Sequence, residues 1–86
     1  MPEISRFFGI VISMYFNDHE PPHFHARYGS AALRVGIETG LVLSGSFPPR
    51  ALGLVIEWAA LHRDELLTNW LELREGRAPS RIAPLQ

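Results

Sequence analysis

From Phe8 to Phe16 every second residue is large and apolar: Phe8, Ile10, Ile12, Met14 and Phe16 share one parity. The intervening positions, Phe7, Gly9, Val11, Ser13 and Tyr15, are mixed. Side chains on a strand alternate between faces, so this two-residue period predicts a strand with one buried face. Asn17 to Pro22 carries turn-forming residues and ends it, and a second strand is predicted from His23 to about Tyr28. Gly29-Ser30 supplies the next turn. From Ala31 to Glu38, Leu33, Val35 and Ile37 alternate with Arg34, Gly36 and Glu38, a third strand. Thr39-Gly40 fits a tight hairpin into a short fourth strand, Leu41-Val42-Leu43. Such short connections favour antiparallel neighbours.

The period then changes. Pro48-Pro49 suits a helix start, where the first N–H groups have no intrahelical partner. Leu52, Val55, Ile56, Ala59, Leu66, Trp70 and Leu73 recur at helical spacing, a stripe suited to covering a sheet. Arg74, Gly76 and Pro79 mark the stop, and 77–86 reads as an irregular tail. Leu54, Trp58 and Leu61 lie off the stripe. If the helix is continuous they form an exposed apolar patch for a protein partner or a second copy. If it breaks near His62-Arg63-Asp64, where Asp64-Glu65 suits a new start, the second half folds back and buries them. Periodicity alone leaves both open. The expected fold is α+β: one domain over 1–86, a small four-stranded, mainly antiparallel sheet packed by a long or broken C-terminal helix.

Composition narrows the function classes. The chain has 86 residues, 47% hydrophobic and 20% charged, which is globular rather than disordered. A net charge of -1 argues against binding nucleic acid by bulk charge. Cysteine is absent, which removes disulfides, thiolate ligands and thiol nucleophiles. The start is not a basic leader running into an apolar core, and no apolar run reaches membrane-spanning length, so the expected location is the cytoplasm. No phosphate loop, dinucleotide fingerprint or nucleophile elbow occurs.

Candidate chemistry concentrates in Asn17-Asp18-His19-Glu20-Pro21-Pro22-His23-Phe24-His25, which holds three of the four histidines. His23 and His25 are two apart and leave the same face of a strand. Two functional readings follow. In the first, the sheet face away from the helix displays Ser13, Tyr15, His23, His25, Arg27 and Arg34. Arginines offset phosphate charge there while His19, His23 or His25, with Tyr15, moves protons in RNA binding or cleavage. In the second, His23 and His25 with Asp18, His19 or Glu20 hold a divalent metal such as zinc. His62 and Glu57 could complete that site only if the turn folds towards the helix. The structural alternative is that the histidines satisfy turn carbonyls and Phe24 anchors a strand in a plain interaction domain.

Pro2-Glu3-Ile4-Ser5-Arg6-Phe7, Met14-Tyr15-Phe16-Asn17-Asp18-His19, Pro21-Pro22-His23-Phe24-His25-Ala26 and Tyr28-Gly29 resemble a family of short bacterial proteins. Arg50-Ala51-Leu52, Glu57-Trp58-Ala59, Leu61-His62 and Asn69-Trp70 are similar as well. The family is domain of unknown function 4160, and the segment from Ser30 to Ser46 matches it less distinctively. The resemblance implies a small protein partner, often encoded alongside, in an arrangement like a toxin–antitoxin pair. It assigns no catalytic residues.

Overall fold

The computed structural model describes residues 3–86, so Met1 and Pro2, the start of the expected non-leader and of the N-terminal motif, lie outside the described residues. The sheet has five strands, β1 (Glu3–Phe7), β2 (Ile10–Ser13), β3 (His23–Tyr28), β4 (Ala31–Gly36) and β5 (Val42–Gly45). They form an antiparallel meander in sequence order.

The fifth strand corrects the expected count of four. The apolar alternation from Phe8 to Phe16 is not one strand, because Phe8 and Gly9 take φ of 51° and 80° and turn the chain between Phe7 and Ile10. Two positive φ values make the hairpin turn whose twist matches the flanking strands. An aromatic rarely occupies the left-handed region, so the sequence did not announce it. Phe8 points to solvent at the tip, and Phe16 is exposed beyond the end of β2. The Gly29-Ser30 turn forms as expected between the paired Tyr28 and Ala31. At the end of β5, Gly45 has φ 86°, and a Cβ there would lie 2.1 Å from the Ala32 carbonyl oxygen. Only glycine lets the two backbones meet.

One sheet face is packed. Ile12, Ala26 and Leu33 lie in one cross-strand row and Phe24 faces Val35 in the next, all buried. Over them lie two helices, α1 (Pro49–Leu61) and α2 (Arg63–Arg74). Pro49 opens α1 as predicted. The helix breaks at His62, with φ −120° and ψ 26°, and α2 restarts with Asp64 and Glu65 in its first turn, near the positive end of its dipole.

The break decides the fate of the off-stripe residues. Trp58 is buried, packing on Phe7 and Phe24 with ring centroids 5.4 and 5.8 Å away. Leu54 is half-buried and Leu61 is 66% exposed, so the three form no patch. The larger exposed apolar run lies instead at β5 and the residue before it: Leu41, Val42 and Leu43.

The segment after Gly76 has no regular secondary structure, as expected, but it is firmly attached. Asn69 Nδ2–H donates to the Ser80 carbonyl at 2.8 Å while Asn69 Oδ1 accepts from the Ser80 N–H at 2.9 Å. Trp58 Nε1–H donates to the Ala83 carbonyl at 2.9 Å. Ile82 is buried, and its N–H donates to the Ile4 carbonyl on the outer edge of β1 at 2.8 Å. Arg81 adds a contact to Glu3; the Arg6 guanidinium first, and Arg81 after it, holds the Glu3 carboxyl below its usual range.

Candidate metal centre

Two elements build the site. The start of β3 supplies His23 and His25, and the connection from β2 supplies Asp18, just after Asn17 turns the chain at φ 70°. That connection also contains a cis peptide bond at Glu20-Pro21. His25 Nε2–H donates to Asp18 Oδ2 at 2.8 Å. His23 Nε2 lies 3.2 Å from the same oxygen.

The second contact is close but is not a hydrogen bond. His23 Nε2 is buried and has no hydrogen-bond partner, so the 3.2 Å approach is proximity without alignment. The other ring nitrogen fixes the tautomer. His23 Nδ1 lies 2.8 Å from the Pro21 carbonyl oxygen. A carbonyl only accepts, so Nδ1 carries the hydrogen, and in the neutral ring Nε2 then presents a lone pair. A buried lone pair and a carboxylate oxygen therefore lie close together with no hydrogen between them, an arrangement that lacks a positive charge.

Packing holds the rings where they are. His23 is 2% exposed, against Trp70 of α2 at a centroid distance of 5.3 Å. His25 is half-buried and meets Tyr15 edge-on at 4.5 Å, and the two imidazoles are 5.2 Å apart. One ligand atom from each of Asp18, His23 and His25 falls within 4.8 Å of the others, a spacing that can hold a single metal ion.

The other predicted residues separate into three locations. His19 is exposed and lines an open cavity of about 360 Å³ with Tyr15, Asp18, Glu20, Trp70 and Arg74, beside the three-residue cluster rather than in it. Ser13, Tyr15, His25, Arg27 and Arg34 line a second cavity, of about 260 Å³, on the sheet face away from the helices. This is the expected grouping without His23, which is buried rather than displayed. Trp58 lies in the helix-side core with Leu54 packed against it, and Leu61 is exposed at the end of α1. His62 pairs with Glu65 and packs on Trp58, and the metal-type cluster includes neither it nor Glu57. The sequence did not point to Trp70 as a wall of the site or to the Pro21 carbonyl as the group that orients His23. Trp70 reads as one more apolar stripe position, and a backbone acceptor has no sequence signature.

No curated protein and no solved structure matches the chain. The family model described as Domain of unknown function (DUF4160) matches residues 9–71, which span the Asp18, His23 and His25 cluster and most of both helices. The chain belongs to that family.

Proposed function

We propose that this protein is a divalent-metal-binding module in which Asp18, His23 and His25 ligate one ion such as zinc. The observation that carries the reading is the buried His23 Nε2, unpartnered and 3.2 Å from the carboxylate oxygen that His25 also meets. A cation among these atoms turns two opposed acceptors into two ligands. Two imidazoles and one carboxylate suit zinc and neighbouring first-row ions, and three protein ligands leave a position open for water or a ligand. The His23 Nδ1–H bond to the Pro21 carbonyl is the outer contact that metal-bound histidines usually make. For His25 to ligate through Nε2, its ring hydrogen has to leave that nitrogen or move to Nδ1.

The test is metal analysis of the untagged chain followed by titration with Zn²⁺ and Co²⁺. One ion per chain is expected, and Asp18→Asn or His25→Ala should weaken binding by about 10-fold or more while the circular dichroism stays unchanged. A wild-type chain that takes up neither ion, or a His25→Ala chain that binds as well as wild type, refutes the reading.

The β5 edge supports a second reading. It carries exposed Val42 and Leu43, no charged residue, and is exposed along its length, and such an edge accepts a further strand. On this reading the chain is a cytoplasmic half of a toxin–antitoxin-like pair, docking a strand of its protein partner, or of a second copy, on β5 rather than on the helix.

A further inference from the structure

We infer that the sheet face away from the helices binds a phosphoryl group, held between Arg27 and Arg34 beside the proposed metal position. This deepens the metal reading by naming its ligand class, and it rests on that reading only for the adjacency of the ion.

The register brings the two arginines together. Ser13, His25, Arg34 and Ser44 form one continuous row across β2, β3, β4 and β5. Val11, Arg27 and Ala32 form the next row. Arg27 and Arg34 are therefore diagonal neighbours on adjacent strands, about 7–8 Å apart at the backbone, and both line one cavity.

Their charge is uncompensated. The salt bridges of the described residues that involve arginine engage Arg6, Arg74, Arg77 and Arg81, leaving Arg27 and Arg34 with no carboxylate partner. Two neighbouring guanidiniums with no counter-charge on a concave face attract an anion. The space between them is real, because Ala32, Ser13 and Gly45 are small and leave the cavity of about 260 Å³ open. Ser44 Oγ of β5 accepts from Arg34 Nε at 2.9 Å, which holds the guanidinium on the β5 side of the cavity and leaves its two terminal nitrogens for a ligand. That planar fork matches phosphate oxygens, which a point-charge ammonium does not. His25 connects the two halves of the site: it is the direct cross-strand neighbour of Arg34 and one of the three proposed metal ligands. An oxyanion held beside Arg34 would then lie one cross-strand neighbour away from His25, a proposed metal ligand. Side-chain amides and hydroxyls with no such charge pair would not discriminate phosphate from neutral ligands.

Phosphoryl groups come from two sources here, a small phosphate ester or the backbone of single-stranded RNA, and the probes separate them. The full chain is titrated, metal-free, with inorganic phosphate and with a short single-stranded RNA, following backbone amide shifts by NMR. Saturable shifts are expected on β3 and β4 around Arg27 and Arg34. Arg27→Gln/Arg34→Gln should weaken binding of the responding probe by about tenfold or more. Arg50→Gln, at an arginine equally free of a carboxylate partner but on α1, should leave it unchanged. Saturation by phosphate alone assigns a small ester, and much tighter RNA binding assigns the backbone. Binding of neither probe overturns the inference, as does binding that survives the double variant or falls equally in Arg50→Gln. Zinc uptake measured on parallel samples without either probe keeps the two readings apart. Uptake without probe binding refutes the phosphoryl site alone, and probe binding without uptake refutes the metal site alone.

Discussion

At the scale of the residue, the two histidines that looked equivalent in the sequence have different duties. His23 is buried, hydrogen-bonded through Nδ1 to the Pro21 carbonyl and packed on Trp70, whereas His25 is half-exposed and bonded to an accessible carboxylate. Removing the first leaves a carbonyl without its donor and a void beside an indole. His23→Ala should therefore lower the stability of the metal-free chain by about 1–3 kcal/mol. His25→Ala should cost less than about 1 kcal/mol, as surface changes usually do. Urea unfolding of both variants, with chelator present, measures the difference. Equal losses would mean that His23 carries no structural share. The pairing of His23 with His25 was legible in the sequence because a strand repeats every two residues. Their unequal burial was not, since it depends on α2 crossing the start of β3, a contact between residues 47 positions apart in the case of Trp70.

At the scale of the element, what the sequence left open was where the segments turn. The parity from Ile10 to Met14 correctly gave the buried face of β2, but Phe8 hid a hairpin in what reads as an unbroken alternation. The helix break at His62 was one of two open outcomes, because the periodic stripe continues through it on either reading. Glycines were more informative than apolar residues at these points. Gly45→Ala should pull β5 from β4, since the new Cβ meets the Ala32 carbonyl at 2.1 Å on a backbone with φ 86°. We expect a loss of about 1–3 kcal/mol and faster hydrogen exchange confined to β4 and β5. Gly53→Ala is the contrast: this glycine is exposed within α1 with nothing near its missing Cβ. The helix should gain roughly 0.5–1 kcal/mol there. Destabilisation by Gly53→Ala, or tolerance of Gly45→Ala, would contradict this account of the two glycines.

At the scale of the whole molecule, the α+β architecture, the antiparallel order and the helices on one face were readable from the change of period alone. The attachment of residues 77–86 was not, because its contacts are single bonds to distant backbone groups and carry no repeat. Val42→Lys places a charge on the exposed β5 edge and should abolish pairing through it. Sedimentation of the wild type across a wide concentration range should show reversible doubling of mass, or a complex with the partner protein, that the variant lacks. A wild type that stays monomeric and captures no partner counts against β5 as the docking edge.

The strap formed by Ile82 on Ile4 gives the sheet a polarity. The chain's own tail bonds one border at Ile4, while among the described residues no such bond reaches the β5 border, so a sheet that joins at β5 finds the opposite border partly closed. If copies pair through β5, the tail opposes continuation at β1 and favours a closed pair over a fibre.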